Sequence, residues 1–144
     1  MAYIERSALV LHSCEAMFDL VQDVKSYSEF LFMCTAAHVE SASETEMVAG
    51  MTIKKSAISQ TFTTRNTMLR PYSISIELVD GPFKKLNGVF KFEALSSDAC
   101  KVILELDFEV AGKILSMTLN PVFKQAANMI VDAFVKRADE IYSK

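Results

Sequence analysis

The chain has 144 residues, 51% of them hydrophobic and 23% charged, with a formal net charge of −3. That length suits one domain able to bury most of its apolar surface, and the composition has neither the charge excess nor the Pro/Gly/Ser bias of a disordered chain. The longest uncharged runs, Phe30 to Val39 and Ile114 to Phe123, hold ten residues each, where a membrane-spanning helix needs about twenty.

The opening MAYIERSALV places Glu5 and Arg6 where a secretory signal requires an unbroken apolar core. Cys14, Cys34 and Cys100 are odd in number and lack a CxxC spacing, so reduced thiols in a cytoplasmic protein are expected. Tyr3 to Val10 is β-prone. Ser13 can cap a helix from Cys14, with Met17, Leu20, Val21 and Val24 as its apolar stripe and Glu15 and Asp19 in its N-terminal half. A short helical turn, Tyr27 to Phe32, is expected next.

From Cys34 to Ala111 the chain reads as six β segments: Thr35 to Ser43, Glu46 to Ile58, Ser59 to Arg70, Tyr72 to Val79, Leu86 to Leu95 and Ala99 to Val110. In the last, Val102, Leu104, Leu106, Phe108 and Val110 alternate with Glu105, Asp107 and Glu109, the pattern of a strand with one solvated face. The same rule points Ile74, Ile76 and Leu78 inward, and Phe90 and Phe92 inward against Lys91 and Glu93. Turn residues at Arg70-Pro71, Asp80-Gly81-Pro82 and Ser96-Ser97-Asp98 make neighbouring strands antiparallel. Asn120-Pro121 is a helix start signal, and Phe123, Ala126, Ala127, Ile130, Ala133, Phe134 and Ile141 form the inner stripe of a helix running to Ser143.

The order therefore predicts an α+β fold: a curved seven-stranded antiparallel sheet wrapped around a long C-terminal helix, with two short helices between its first and second strands. A helix of about twenty residues, ~30 Å long, can cover a concave sheet face. The small inward residues Ala126, Ala127 and Ala133 favour a gap beneath it, although a packed core is the default.

Conventional reaction centres find little footing. His12 precedes the first helix and His38 sits beside Glu40 on a solvent face; Cys34 and His38 lack further metal ligands. Glu105, Asp107 and Glu109 read as a solvated outer face, and Gly81 and Gly88 do not have phosphate-loop spacing. No catalytic or metal-binding residue is assigned.

The strings S59-Q-T-F-T-T-R-N66, L78-V-D-G-P-F-K-K-L86 and N120-P-V-F-K-Q-A-A-N-M-I-V-D-A-F134 resemble the bacterial ribosome association toxin family, related to the mitochondrial coenzyme-Q-binding proteins in the START-like, polyketide-cyclase-like superfamily. The resemblance runs from Ile4 to Tyr142. It departs from the family form V-x-x-Y-P-x-F-L-P-x-C at V24-K-S-Y-S-E-F-L-F-M-C34, where Ser28 and Phe32 replace prolines that would stiffen a cavity mouth.

The resemblance implies a helix-grip fold and a non-enzymatic binding protein. Its first expected role is an apolar cavity for ubiquinone or a similar isoprenoid lipid, linked to respiration, with no required cofactor and transient membrane contact. The cavity residues expected are Phe62, Ile76, Leu78, Phe90, Phe92, Leu104, Leu106 and Phe108 on the sheet, facing Phe123, Ala127, Ile130 and Phe134 on the helix. Two isoprene units buried there could supply on the order of 7 kcal/mol before ordering costs. The alternative role is a toxin that binds the large ribosomal subunit and blocks subunit joining. DNA is not an expected partner. A basic stretch suits the alternative: Lys54 to Lys91 carries seven basic residues against Glu77 and Asp80, a net +5 in an otherwise acidic chain. Lys54, Lys55, Arg65, Arg70, Lys84 and Lys85 are its expected polyanion contacts.

Overall fold

The alternation seen in the sequence produces seven strands in one antiparallel sheet, in a computed structural model that describes residues 2–31 and 33–142. The strands are β1 (Ala2–Val10), β2 (Cys34–Ala42), β3 (Glu46–Lys55), β4 (Ile58–Leu69), β5 (Ser73–Asp80), β6 (Phe83–Ser96) and β7 (Ala99–Val110). Their order across the sheet is β1-β7-β6-β5-β4-β3-β2, so β2 through β7 form a meander and β1 returns to pair with β7. Helix α1 (Cys14–Gln22) and a 3-10 turn (Val24–Glu29) connect β1 to β2, and helix α2 (Lys113–Tyr142) closes the fold.

Local chemistry sets these boundaries. Ser13 caps α1 as expected, its hydroxyl accepting from the Ala16 amide at 3.1 Å. The following turn lies earlier than the predicted Tyr27 to Phe32, because Val24 and Tyr27 bury their side chains and anchor it at Val24–Glu29. The β3 to β4 hairpin turns at Ser56-Ala57, before the strand end expected at Ile58, and Ser56 has a φ of 54° there. Gly81, with a φ of 152°, makes the β5 to β6 turn close against Phe62: an added Cβ would lie 2.6 Å from the Phe62 Cβ.

The largest departure from expectation is the start of α2. Asn120-Pro121 suggests a first turn, yet the helix begins at Lys113 and carries Pro121 in its interior. Gly112, with a φ of 83°, turns the chain out of β7, and the Ser116 amide donates to its carbonyl at 3.0 Å, closing the first helical turn. Leu119 and Val122 are buried on either side of the proline while Pro121 itself is exposed. Apolar burial thus outweighs the one hydrogen bond that proline cannot donate.

Helix α2 packs along β1 and β7 and touches α1. Its most deeply buried row is Leu119, Phe123, Ala127, Val131, Phe134 and Ala138, and Ile141, expected in the inner stripe, is 38% exposed. Ala126, Ile130 and Ala133 are only partly buried. Among the described residues no helix is long and apolar enough to cross a membrane.

Candidate ligand cavity

Two aromatic clusters hold α2 off the sheet. Phe123 meets Phe62, Phe83 and Phe108 edge-on, with ring centroids 4.7 to 5.7 Å apart. Phe134 meets Tyr27, Phe30 and Phe90 at 5.4 to 5.8 Å. The two helix positions are eleven residues apart, about 16 Å at 1.5 Å per residue. Between them the helix offers Ala126, Ala127, Ile130 and Ala133, side chains too short to span the space that the flanking rings prop open. The result is a cavity of about 600 Å³ between helix and sheet, well within the range of small-molecule sites.

Of the residues predicted to line it, Phe62, Ile76, Phe90, Leu104, Leu106, Phe123, Ala127 and Ile130 do so. Leu78, Phe92, Phe108 and Phe134 do not, and each is packed elsewhere for a visible reason. Phe134 and Phe108 are fully buried behind other rings, Phe92 lies against Phe18 of α1, and Leu78 sits beside the Gly81 turn. Inward alternation identifies a core side chain but does not say whether a second side chain lies in front of it.

The sequence reading also missed wall residues. Ala49, Met51 and Ile53 of β3 contribute, as do Thr64 and Asn66 of β4. The last two were legible: the alternation that turns Arg65 and Thr67 outward turns Phe62, Thr64, Asn66 and Met68 inward. Asn66 is 9% exposed and is the one polar residue in the buried set among the described residues. Its Oδ1 accepts from the Thr64 hydroxyl at 3.0 Å.

At the cavity mouth the walls become charged, with Glu29 from the 3-10 turn and Asp132, Lys136, Arg137 and Glu140 from α2. Arg137 donates to Glu29 at 2.9 Å, lies 3.8 Å from Glu140 and stacks 5.1 Å above the centre of the Phe30 ring. The segment that follows is held by backbone bonds: the Leu31 amide to the Tyr27 carbonyl at 2.9 Å, the Cys34 amide to the Leu31 carbonyl at 3.1 Å, and the Lys54 amide to the Met33 carbonyl at 2.8 Å. These contacts brace the chain around Ser28 without a proline ring, while the second replaced position, Phe32, lies outside the described residues.

The Tyr27 phenol and the Cys34 thiol on the inner wall stay protonated at neutral pH. Burial pushes the Tyr27 phenol well above its ordinary range, and its hydroxyl is spent on the Val21 carbonyl. Burial also raises the Cys34 thiol, against a smaller opposing effect of the Ala36 backbone, so it is a poor nucleophile. Among the described residues no cluster of three potential metal ligands occurs.

The basic residues do not form the free patch that the charge count suggests. Lys84 lies 3.6 Å from Glu109, Lys85 2.6 Å from Asp107 and Lys91 3.1 Å from Glu105, because the β6 to β7 register sets the lysines of one strand beside the acids of the next. The three carboxylates expected to be solvated are therefore half-shielded partners. Arg65 pairs with Glu46 at 3.6 Å, and Arg70 reaches Asp19 across the molecule through two bonds of 2.9 and 3.0 Å. Lys55 bonds Gln125 of α2. Lys54 is exposed and has no acidic partner among the described residues. Lys54 and Lys55 stand three strands from Lys84 and Lys85, and Arg70 is at the far end of β4.

Residues 10–135 match the family described as polyketide cyclase / dehydrase and lipid transport. The chain is 49% identical over 140 residues to the ribosome association toxin RatA of Pseudomonas aeruginosa, covering 97% of each. It is 46% identical over 143 residues to RatA of Escherichia coli K12, covering 99% of this chain and 90% of that one. A more distant likeness, 25% over 136 residues, is to the mitochondrial coenzyme Q-binding protein COQ10 homolog B of Xenopus laevis, covering 92% of this chain and 56% of that one. Among solved structures, the Zhui aromatase/cyclase of a Streptomyces species superposes with a TM-score of 0.82 at 14% identity, over 96% of this chain and 93% of that one. That likeness shows the fold, which is the helix-grip fold.

Proposed function

This chain belongs to the ribosome association toxin family and to the wider polyketide cyclase / dehydrase and lipid transport family, and on that premise we propose that it binds the large ribosomal subunit in the cytoplasm and blocks subunit joining. The observation that carries this reading is identity of 43 to 49% spread over essentially the full chain with proteins named for ribosome association. It reverses the order expected from the resemblance, in which the lipid role came first and the toxin role was the alternative. Sedimentation of the purified protein with separated ribosomal subunits tests it. The expected result is co-migration with the large subunit and fewer joined ribosomes; protein left at the top of the gradient at low salt, with joining unchanged, overturns it.

A second role is favoured by the cavity. A space of about 600 Å³ walled by aromatic and aliphatic side chains suits a neutral apolar ligand such as an isoprenoid quinone, taken up by transient contact with a membrane. The coenzyme Q-binding relative supports it more distantly. Burying each ligand methylene contributes about 0.8 kcal/mol, so retention needs few polar contacts. Mass spectrometry of organic extracts from the purified protein checks this: a quinone or other neutral lipid at near-stoichiometric yield is expected, and no lipid recovered or taken up on addition counts against it. Both roles are non-enzymatic; the protonated Cys34 and Tyr27 side chains support that reading, since neither is poised as nucleophile or base.

A further inference from the structure

Asn66 stands where an apolar cavity has no structural use for an amide. It is nine-tenths buried and belongs to an inward row whose other members are Phe62, Thr64 and Met68. The neighbouring strands place Met47 and Ile76 beside it. Its oxygen is already engaged: the Thr64 hydroxyl donates to Oδ1 at 3.0 Å. With Oδ1 engaged by Thr64, Nδ2 carries the two remaining N–H donors; no protein acceptor for them is seen among the described residues, and Nδ2 is not sealed in the core, so it opens onto the cavity. A donor that opens onto an apolar cavity is costly to leave unpaired once a ligand displaces water from it, so a bound ligand that supplies the acceptor is favoured over one that does not.

The charge at the mouth narrows what that something is. Arg137, the cation nearest the aromatic wall, is engaged by Glu29, Glu140 and the Phe30 ring. Asp132 lies 3.7 Å from Arg6. Three acids, Glu29, Asp132 and Glu140, face two bases, Lys136 and Arg137, at the mouth, so an anionic headgroup meets a net negative rim and would have to break the Arg137 pairs to use that cation, whereas a neutral molecule does neither. A pure hydrocarbon would leave the Asn66 donors orphaned, and a ligand group that only donates would face another donor.

Resting on the cavity reading above, we infer that Asn66, oriented by Thr64, is the specificity-determining contact of the cavity and selects neutral apolar ligands that carry a carbonyl oxygen, which accepts a hydrogen bond from Nδ2. Ketones, quinones and esters share this chemistry. Alkyl chains without a carbonyl and ionised fatty acids do not.

The test uses displacement of the neutral dye N-phenyl-1-naphthylamine from the full-length protein by decylbenzene and by decanophenone, probes alike in chain and ring that differ chiefly in one carbonyl, with decanoate as the anionic control. In the wild type, decanophenone is expected to displace the dye more strongly than its partition into hydrocarbon accounts for, and decanoate weakly. Asn66→Leu is expected to cost decanophenone about ten-fold in affinity, the size of one buried neutral hydrogen bond, and to leave decylbenzene unchanged or improved. Equal loss for both probes, or no loss for either, overturns the inference.

A second measurement needs no variant. In side-chain amide NMR spectra of wild-type protein labelled at asparagine, the Asn66 NH₂ pair is expected to shift on adding decanophenone and not on adding decylbenzene. Identical responses to the two probes count against the hydrogen bond. A wild-type protein that binds neither dye nor probe removes the cavity reading itself, a different failure from a cavity that binds both probes without preference.

Discussion

Arg137 of α2 and Glu29 of the 3-10 turn meet at 2.9 Å across the mouth of the cavity, joining elements separated by 108 positions in sequence. The guanidinium is 25% exposed and the carboxylate 59%. A pair this open contributes about 0–1 kcal/mol to stability. For the proposed ligand-binding role its consequence is kinetic: it holds the turn against the helix at the cavity mouth. Glu29→Gln is therefore expected to speed release of a bound neutral dye several-fold in stopped-flow measurements while lowering the melting temperature by only about 1–3 °C. An unchanged release rate would place the exit elsewhere.

Filling the cavity should separate the two proposed roles. Ala133 is partly buried and lines the space between the Phe123 and Phe134 clusters, so Ala133→Leu adds apolar volume where there is room for it. The expected outcome is a protein at least as stable as wild type that takes up dye or lipid more weakly. If it still sediments with the large ribosomal subunit, ribosome binding does not require the ligand. Phe134→Ala is the contrast: with Phe134 fully buried among three rings, it should cost about 3–5 kcal/mol in denaturant unfolding.

The ion pairs along β6 and β7 change which lysines are worth altering. Reversing Lys85 would set a negative charge against Asp107, whose Oδ1 is already buried without a partner, so lost binding could reflect a damaged sheet. Lys54, exposed and without an acid nearby, and Lys84, 68% exposed, are cleaner targets. Lys54→Gln with Lys84→Gln is expected to weaken sedimentation with the large subunit and flatten its salt dependence, with the melting temperature held within about 2 °C. Unchanged sedimentation at low salt would remove these positions from the ribosome-facing surface.

Alkaline stability follows from the buried acids. The Cys34 and Cys100 thiols are raised above their ordinary 9.0 and the Tyr27 phenol above its ordinary 10.0, each chiefly by burial. The unfolded chain releases these protons first, so their contribution is fully present below about pH 9 and is lost as pH rises beyond it. The urea midpoint should fall above pH 9. Tyr27→Phe should flatten the part of that fall above pH 10 and cost about 1–2 kcal/mol at neutral pH by leaving the Val21 carbonyl without its partner.

Much of this was legible beforehand, and the exceptions share a cause. Val102, Leu104, Leu106, Phe108 and Val110 are all buried on β7, as period-two alternation requires, and Ser13 caps α1 from its own local chemistry. Such features depend on residues a few positions apart. Pro121 misled for the opposite reason: its signal is local, while the burial of Leu119 and Val122 that carries α2 back to Lys113 depends on the sheet.

The sequence by itself determined the strands, their antiparallel order and the helix that covers them, because backbone periodicity and turn chemistry act over short separations. Only the tertiary structure decided that the lysines of β6 stand beside the acids of β7, that Phe134 lies behind the cavity wall while Ile130 forms it, and that Glu29 meets Arg137 at the mouth. Those relations arise from register and from the placement of α2 across the sheet. They bring together residues tens of positions apart, and no local pattern encodes that distance.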